Sequence, residues 1–179
     1  LTWNLWLLGQ DAELQQRIHR DLEQQVSGRI PTTEALESLF LQHVLKESMR
    51  LYPASALSAR EAVRPVEFHG YEFPADAVLA VSFYALHRHT RLWRDPSGFD
   101  AERFQLASGE PVHPYAFLPF SAGPHGCIAG NFGWTEAMAI LVTLLQTFEV
   151  KTENRNLRPR LFITLRPDDE VWLTLKRRS

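Results

Sequence analysis

The sequence predicts a mainly α-helical protein carrying small antiparallel β-sheets. Apolar residues recur at helical spacing over 14–26, 38–51 and 131–148. Short segments rich in β-branched and aromatic residues, at 63–68, 78–83, 148–151, 161–165 and 171–175, alternate with polar residues or run apolar. Gly9, Gly28, Pro31, Pro53, Gly70 and Pro74 fall between these segments, where they interrupt regular structure.

Leu1 to Leu8 reads as the last turns of a buried helix, with Gly9 suited to a left-handed C-terminal position. The chain begins in an apolar segment without methionine, so it is expected to start in mid-element. Asp11 is placed to cap a second helix, whose Leu14, Ile18, Leu22 and Val26 form one apolar stripe. Ser27, Gly28 and Pro31 close it, and a short capped turn follows from Thr33. The spacing then predicts a helix over Ser38–Leu51, stopped by Pro53. Val63–Phe68 and Val78–Phe83 predict an antiparallel sheet broken at Gly70 and Pro74. Asn131–Phe148 predicts a buried helix with Phe132, Trp134, Met138, Leu141, Leu145 and Phe148 apolar, and a hairpin is expected to close the chain before a basic tail, Lys176–Arg178.

At 179 residues, 45% hydrophobic and 22% charged, the chain falls in the globular class with enough apolar residues for one core. A net charge of -2 gives no footprint for nucleic acid. No apolar run reaches the roughly 18 residues that would span a bilayer, and nothing assigns a compartment. The single cysteine excludes an internal disulfide, and no internal repeat is visible.

That cysteine, Cys127, lies in Phe117-Leu-Pro-Phe-Ser-Ala-Gly-Pro-His-Gly-Cys-Ile-Ala-Gly130. Pro119, Gly123, Pro124 and Gly126 put the sulfur on a tight loop that enters a helix. Free N–H groups of a first helical turn and the positive end of its dipole favour an anionic sulfur, which is a good metal ligand. The bland alternative is a small buried hydrophobe. Glu47 and Arg50, three residues apart, share one helical face, either as a solvated surface pair or as part of something larger. His87 and His89 lack the i, i+4 arrangement of a zinc site, and no cysteine or carboxylate completes a set.

The spacing of Phe120, Gly123, His125 and Cys127 resembles the heme-ligand loop of the cytochrome P450 monooxygenases, with Ala129 where that family commonly has glycine. Glu47-Ser-Met-Arg50 resembles the family's Glu-x-x-Arg helix, and Arg103 in Phe99-Asp-Ala-Glu-Arg103-Phe104 stands where a third member of that network is expected, after Ala101 in place of the usual proline. Arg60 stands where many members carry a heme-propionate arginine, with Arg64 as the alternative and an exposed strand-edge role open for both. His87-Arg88-His89 resembles the family's His-Arg-Asp turn, with His89 replacing the acid.

The resemblance implies that residues 1–179 are the C-terminal portion of a single P450 domain. It implies heme b, with Cys127 on the iron, His125 beside a propionate and Phe120 against the proximal face. Glu47, Arg50 and Arg103 would form a buried network, and Ala54, Ala56 and Leu57 would edge the substrate pocket. The implied activity is insertion of one oxygen atom from O2 into a lipophilic small molecule, with electrons from a ferredoxin or a flavoprotein reductase. The family's oxygen-activating segment lies on a helix upstream of Leu1, so no catalytic residue is assigned here, and this chain alone is expected to be inactive. A shortened heme-binding remnant without oxygenase activity is the alternative.

Overall fold

Asp11 begins the second helix as its sequence predicts: its carboxylate accepts from the Leu14 N–H at 2.9 Å, and α2 runs Ala12–Gln25 behind α1, Thr2–Leu8. The computed structural model describes residues 1–105, 113–154 and 156–178. Thr32 caps α3, Thr33–Ser38, and α4 follows at Leu41–Leu51. The predicted single helix from Ser38 is thus two, because Leu39 takes an extended conformation (ψ 139°) between them. The longest helix, Gly130–Thr147, is named α6 below, after the short α5, Phe83–Leu86.

The core is helical. Leu14, Ile18 and Leu22 of α2 and Val44 and Leu45 of α4 meet Met138, Leu141, Val142 and Leu145 of α6, all buried. Burying each such side chain stabilises by about 1.5–3 kcal/mol before entropy is counted. Among the described residues no helix is long and apolar enough to cross a membrane.

Gly9 is not left-handed: its φ is -65°, and the reason for glycine lies elsewhere. A Cβ there would stand 2.5 Å from Thr152 Oγ1 and 2.6 Å from the Thr152 nitrogen, so only glycine admits β5, Phe148–Thr152, this close. Thr152 N–H donates to the Gly9 carbonyl at 3.0 Å, and the buried Gln15 amide both donates to the Val150 carbonyl (2.8 Å) and accepts from the Val150 N–H (2.9 Å).

Among the described residues the sheets are four two-stranded antiparallel pairs. β1, Leu57–Glu61, pairs with β4, Val78–Ser82, and encloses the hairpin β2, Val66–Phe68, with β3, Tyr71–Phe73. The predicted strand 63–68 is therefore shorter and starts beyond Pro65, whose missing N–H ends the ladder, while His69 and Gly70, at φ 50° and 79°, make the two-residue turn. The chain does not close on a simple hairpin. β5 pairs with β8, Leu173–Arg177, and the hairpin β6, Pro159–Leu161, with β7, Leu165–Pro167, is inserted between them, so much of the predicted strand 161–165 is hairpin tip.

Between α5 and residue 105 the backbone has no regular ladder and is organised by charge. Glu47, Arg50 and Arg103 are buried together. Arg50 grips Glu47 with two bonds, Nε to Oε2 at 2.7 Å and Nη2 to Oε1 at 2.8 Å, and Arg103 Nε donates to the same Oε1 at 3.0 Å. The Asp100 N–H also donates to it, at 3.0 Å. One carboxylate faces two guanidiniums, and backbone carbonyls take further donors of both. Arg50 reaches those of His87 (2.8 Å), Pro96 (2.6 Å) and Gly98 (2.9 Å), and Arg103 those of Arg94 (2.6 Å) and Asp95 (3.1 Å). Each cation is thereby satisfied without water, the condition under which buried charge is tolerated.

Glu47→Ala leaves two buried guanidiniums without their carboxylate and is expected to cost about 3–5 kcal/mol. Arg17→Ala, which breaks the half-exposed Arg17–Glu102 pair, is expected to cost at most about 1 kcal/mol. Urea unfolding of both checks the contrast, and equal midpoints would make the network energetically superficial.

Candidate functional site: the Cys127 loop

The loop before α6 is shaped by its turns. Ser121 (φ 62°) and Gly123 (φ 73°) occupy the left-handed region, and a single 3-10 turn spans Gly123–His125. Gly126 N–H donates to the Gly123 carbonyl at 2.9 Å, and the chain returns so that Cys127 N–H donates to the Phe120 carbonyl, also at 2.9 Å. Gly130 N–H closes on the Cys127 carbonyl at 3.2 Å, and α6 begins there. A Cβ on Gly130 would lie 3.3 Å from Phe120 Cγ, so glycine lets that ring rest on the first turn of the helix.

Cys127 itself is exposed and free. The helix it introduces is not buried throughout, as the sequence leads one to expect: Phe132 is 71% exposed, whereas Met138, Leu141 and Leu145 are buried. The core covers the C-terminal part of α6 and leaves its first turns and the thiol projecting beyond it. His125 is exposed on the 3-10 turn, as is Gly123, and Phe120 is half-buried.

The sequence-predicted residues fall into two groups. Glu47, Arg50 and Arg103 come together in one buried network. Arg60 lies apart from them on β1, exposed, its guanidinium on Ser58 Oγ (2.9 Å) and the Ala59 carbonyl (2.7 Å), and Arg64 is exposed beyond that strand. Ala56 and Leu57 line a cleft of about 370 Å³ with Tyr84, Leu161 and Leu165, and the Ala54 carbonyl accepts from Leu165 N–H at 3.0 Å.

One residue that joins these groups had no assigned role in the sequence. His87 is fully buried, its carbonyl on Arg50 and its Nε2 accepting from the Leu118 N–H at 2.9 Å. Its ring lies 5.3 Å from that of Phe117 and 6.4 Å from that of Phe83. Its pKa is pushed down to about 4, chiefly by burial, with the Arg50 and Arg88 cations acting the same way and the Arg50 carbonyl, which does not reach Nδ1 at hydrogen-bond distance, acting against them. His87-Arg88-His89 was marked in the sequence only as a turn, and nothing local signals the burial of its first histidine, which is why this contact was not legible.

Since the folded pKa lies below the ordinary value, the unfolded chain takes up a proton that the native site refuses. Stability from this group is complete above about pH 6.5 and is lost as the pH falls toward 4, by roughly 3 kcal/mol in all. Comparing urea midpoints of the parent and His87→Gln from pH 7 to 4 isolates the effect, because glutamine does not titrate; parallel profiles would contradict it.

The family model for cytochrome P450 matches residues 1–171. The chain is 37% identical over 186 residues to human "Cytochrome P450 4V2", covering 100% of this chain and 35% of that protein. It is 35% identical over 184 residues to the Rattus norvegicus protein of the same name, covering 99% of this chain and 35% of the relative. It is 36% identical over 184 residues to "Probable cytochrome P450 4aa1" of Drosophila melanogaster, covering 100% and 36%. The chain thus spans about a third of the length of these curated relatives. With the family model matched over nearly its whole length, the chain belongs to the cytochrome P450 family.

Proposed function

We propose that Cys127 would supply a thiolate ligand to the heme iron of a monooxygenase that inserts one oxygen atom from O2 into a lipophilic small molecule. The return of the Cys127 N–H to the Phe120 carbonyl, which presents an exposed thiol at the mouth of α6, carries this reading. The donor set fits heme. A single exposed thiol on a tight turn is a donor that would suit heme iron as a thiolate. The close approach that Gly130 allows Phe120 supports a flat face beside the loop.

Bound heme supplies O2 reduction and oxygen insertion into a C–H bond. The chain's own residues hold and orient it. Cys127 would hold its iron, His125 and Arg60 would offer N–H donors to its propionates, and Phe120 and Gly123 would shape the face beside the loop. Ala56 and Leu57 give the substrate side an apolar edge, which favours lipophilic molecules. Electrons come from a ferredoxin or a flavoprotein reductase.

In the heme-loaded full chain, Cys127→Ser is expected to abolish the absorption band typical of a thiolate-ligated carbon monoxide complex; an unchanged band would overturn the assignment. Arg60→Ala is expected to speed heme loss about tenfold, the worth of one charge-assisted hydrogen bond, with Arg64→Ala near the parent. Transfer of heme to an acceptor protein measures both rates, and the reverse ranking would move the propionate contact to Arg64.

A further inference from the structure

We propose that His87 is a positioning residue for the Cys127 loop, a buried acceptor that holds the Leu118 N–H and so fixes where the loop begins. This rests on the reading of Cys127 as the iron ligand. Among the described residues Leu118 has no backbone acceptor for its N–H, and Pro119, which follows, has no N–H to extend a ladder. Among the described residues the acceptor Leu118 finds is His87 Nε2, at 2.9 Å. The imidazole cannot drift, since its own carbonyl is bound by Arg50 and its ring packs between Phe83 and Phe117.

From Leu118 the constraint passes directly into the loop. The Leu118 carbonyl accepts from Ser121 N–H at 3.3 Å, and the Phe120 carbonyl accepts from Cys127 N–H at 2.9 Å. The sulfur's backbone is thereby referred, through one imidazole, to the Glu47–Arg50 pair on α4. Only the neutral ring with its proton on Nδ1 can do this, because a second proton would turn Nε2 into a donor facing a donor. The charged groups near it, Arg50 from α4 and Arg88 from the next position, are both cations that disfavour that proton.

Three measurements test the proposal. In the unaltered full chain, the imidazole ¹⁵N spectrum of His87 is expected to show the Nδ1–H tautomer; an Nε2–H tautomer overturns the proposal without any variant. His87→Leu removes the acceptor, whereas His87→Gln can place Oε1 near the position of Nε2. Amide exchange at Leu118 is expected to accelerate at least tenfold in His87→Leu while amides of Leu141 and Val142 keep their protection, and to stay within threefold of the parent in His87→Gln. Unchanged Leu118 exchange in His87→Leu, or a glutamine variant as fast as the leucine one, overturns it.

The third measurement is the heme-loaded protein's thiolate-type carbon monoxide band. In the parent this band is expected to fade as pH falls through the His87 titration, and in His87→Gln to persist to lower pH. Identical pH profiles overturn the link from His87 to the sulfur. Absence of the band in the parent at neutral pH would instead count against Cys127 as ligand, and the tautomer and exchange results would still judge the His87 contact.

Discussion

Two guanidiniums share one carboxylate in the interior of this protein, and the irregular backbone of residues 94–98 exists in the form that this arrangement demands. Glu47 neutralises only one of the charges on Arg50 and Arg103, and carbonyl dipoles are gathered around both cations as well. Those dipoles come from residues 87 and 94–98, which have to wrap around the cations to deliver them. The wrapping explains two local oddities. Asp95 accepts a left-handed φ of 40°, and Gly98 lacks a side chain where a Cβ would collide with the Asp95 carboxylate. The Trp93 ring, buried and 5.3 Å from the Arg50 guanidinium, covers the assembly with an aromatic face, an orientation that a cation tolerates.

The network therefore does for residues 87–105 what the apolar stripe does for the helices. Hydrophobic burial joins α2, α4 and α6 but is non-directional and leaves the register of a loop open. Charge-assisted hydrogen bonds are directional and specify positions for particular carbonyls. Because His87 belongs to both the network and the approach to the thiol, a site that projects from the core still inherits the rigidity of buried residues.

What the sequence disclosed follows the range of the physics involved. α2 was legible because its cap and its four-residue stripe are both local, and Asp11, Leu14, Ile18 and Leu22 sit where they were expected. The shared face of Glu47 and Arg50 was legible for the same reason. Their burial was not a local property, since residues 94–103 create it, and only a family resemblance pointed to Arg103. The sheets were read least well. β1 carries Ser58, Arg60 and Glu61 and shows no apolar alternation, yet it pairs with β4 through contacts distant in sequence. Gly9 illustrates a further limit: the residue type was informative, but the reason for it was a neighbour 143 positions away at Thr152 rather than its own φ.

That same contact sets how the protein can vary in length. β5 has a partner strand on one side only, and its other edge is taken by the α1–α2 corner, with the Gln15 amide standing in for a strand residue at Val150 and the Gly9 carbonyl at Thr152. An inserted residue between Leu8 and Gln15 would put these groups out of step and expose an unpaired edge, a known route to intermolecular strand addition. The β6–β7 tip, whose Ile163 is 95% exposed, carries no such double duty. Insertions and deletions among related proteins should therefore collect at that tip and be missing from the corner, so that one end of the same small sheet is held to a fixed length while the other is open to change.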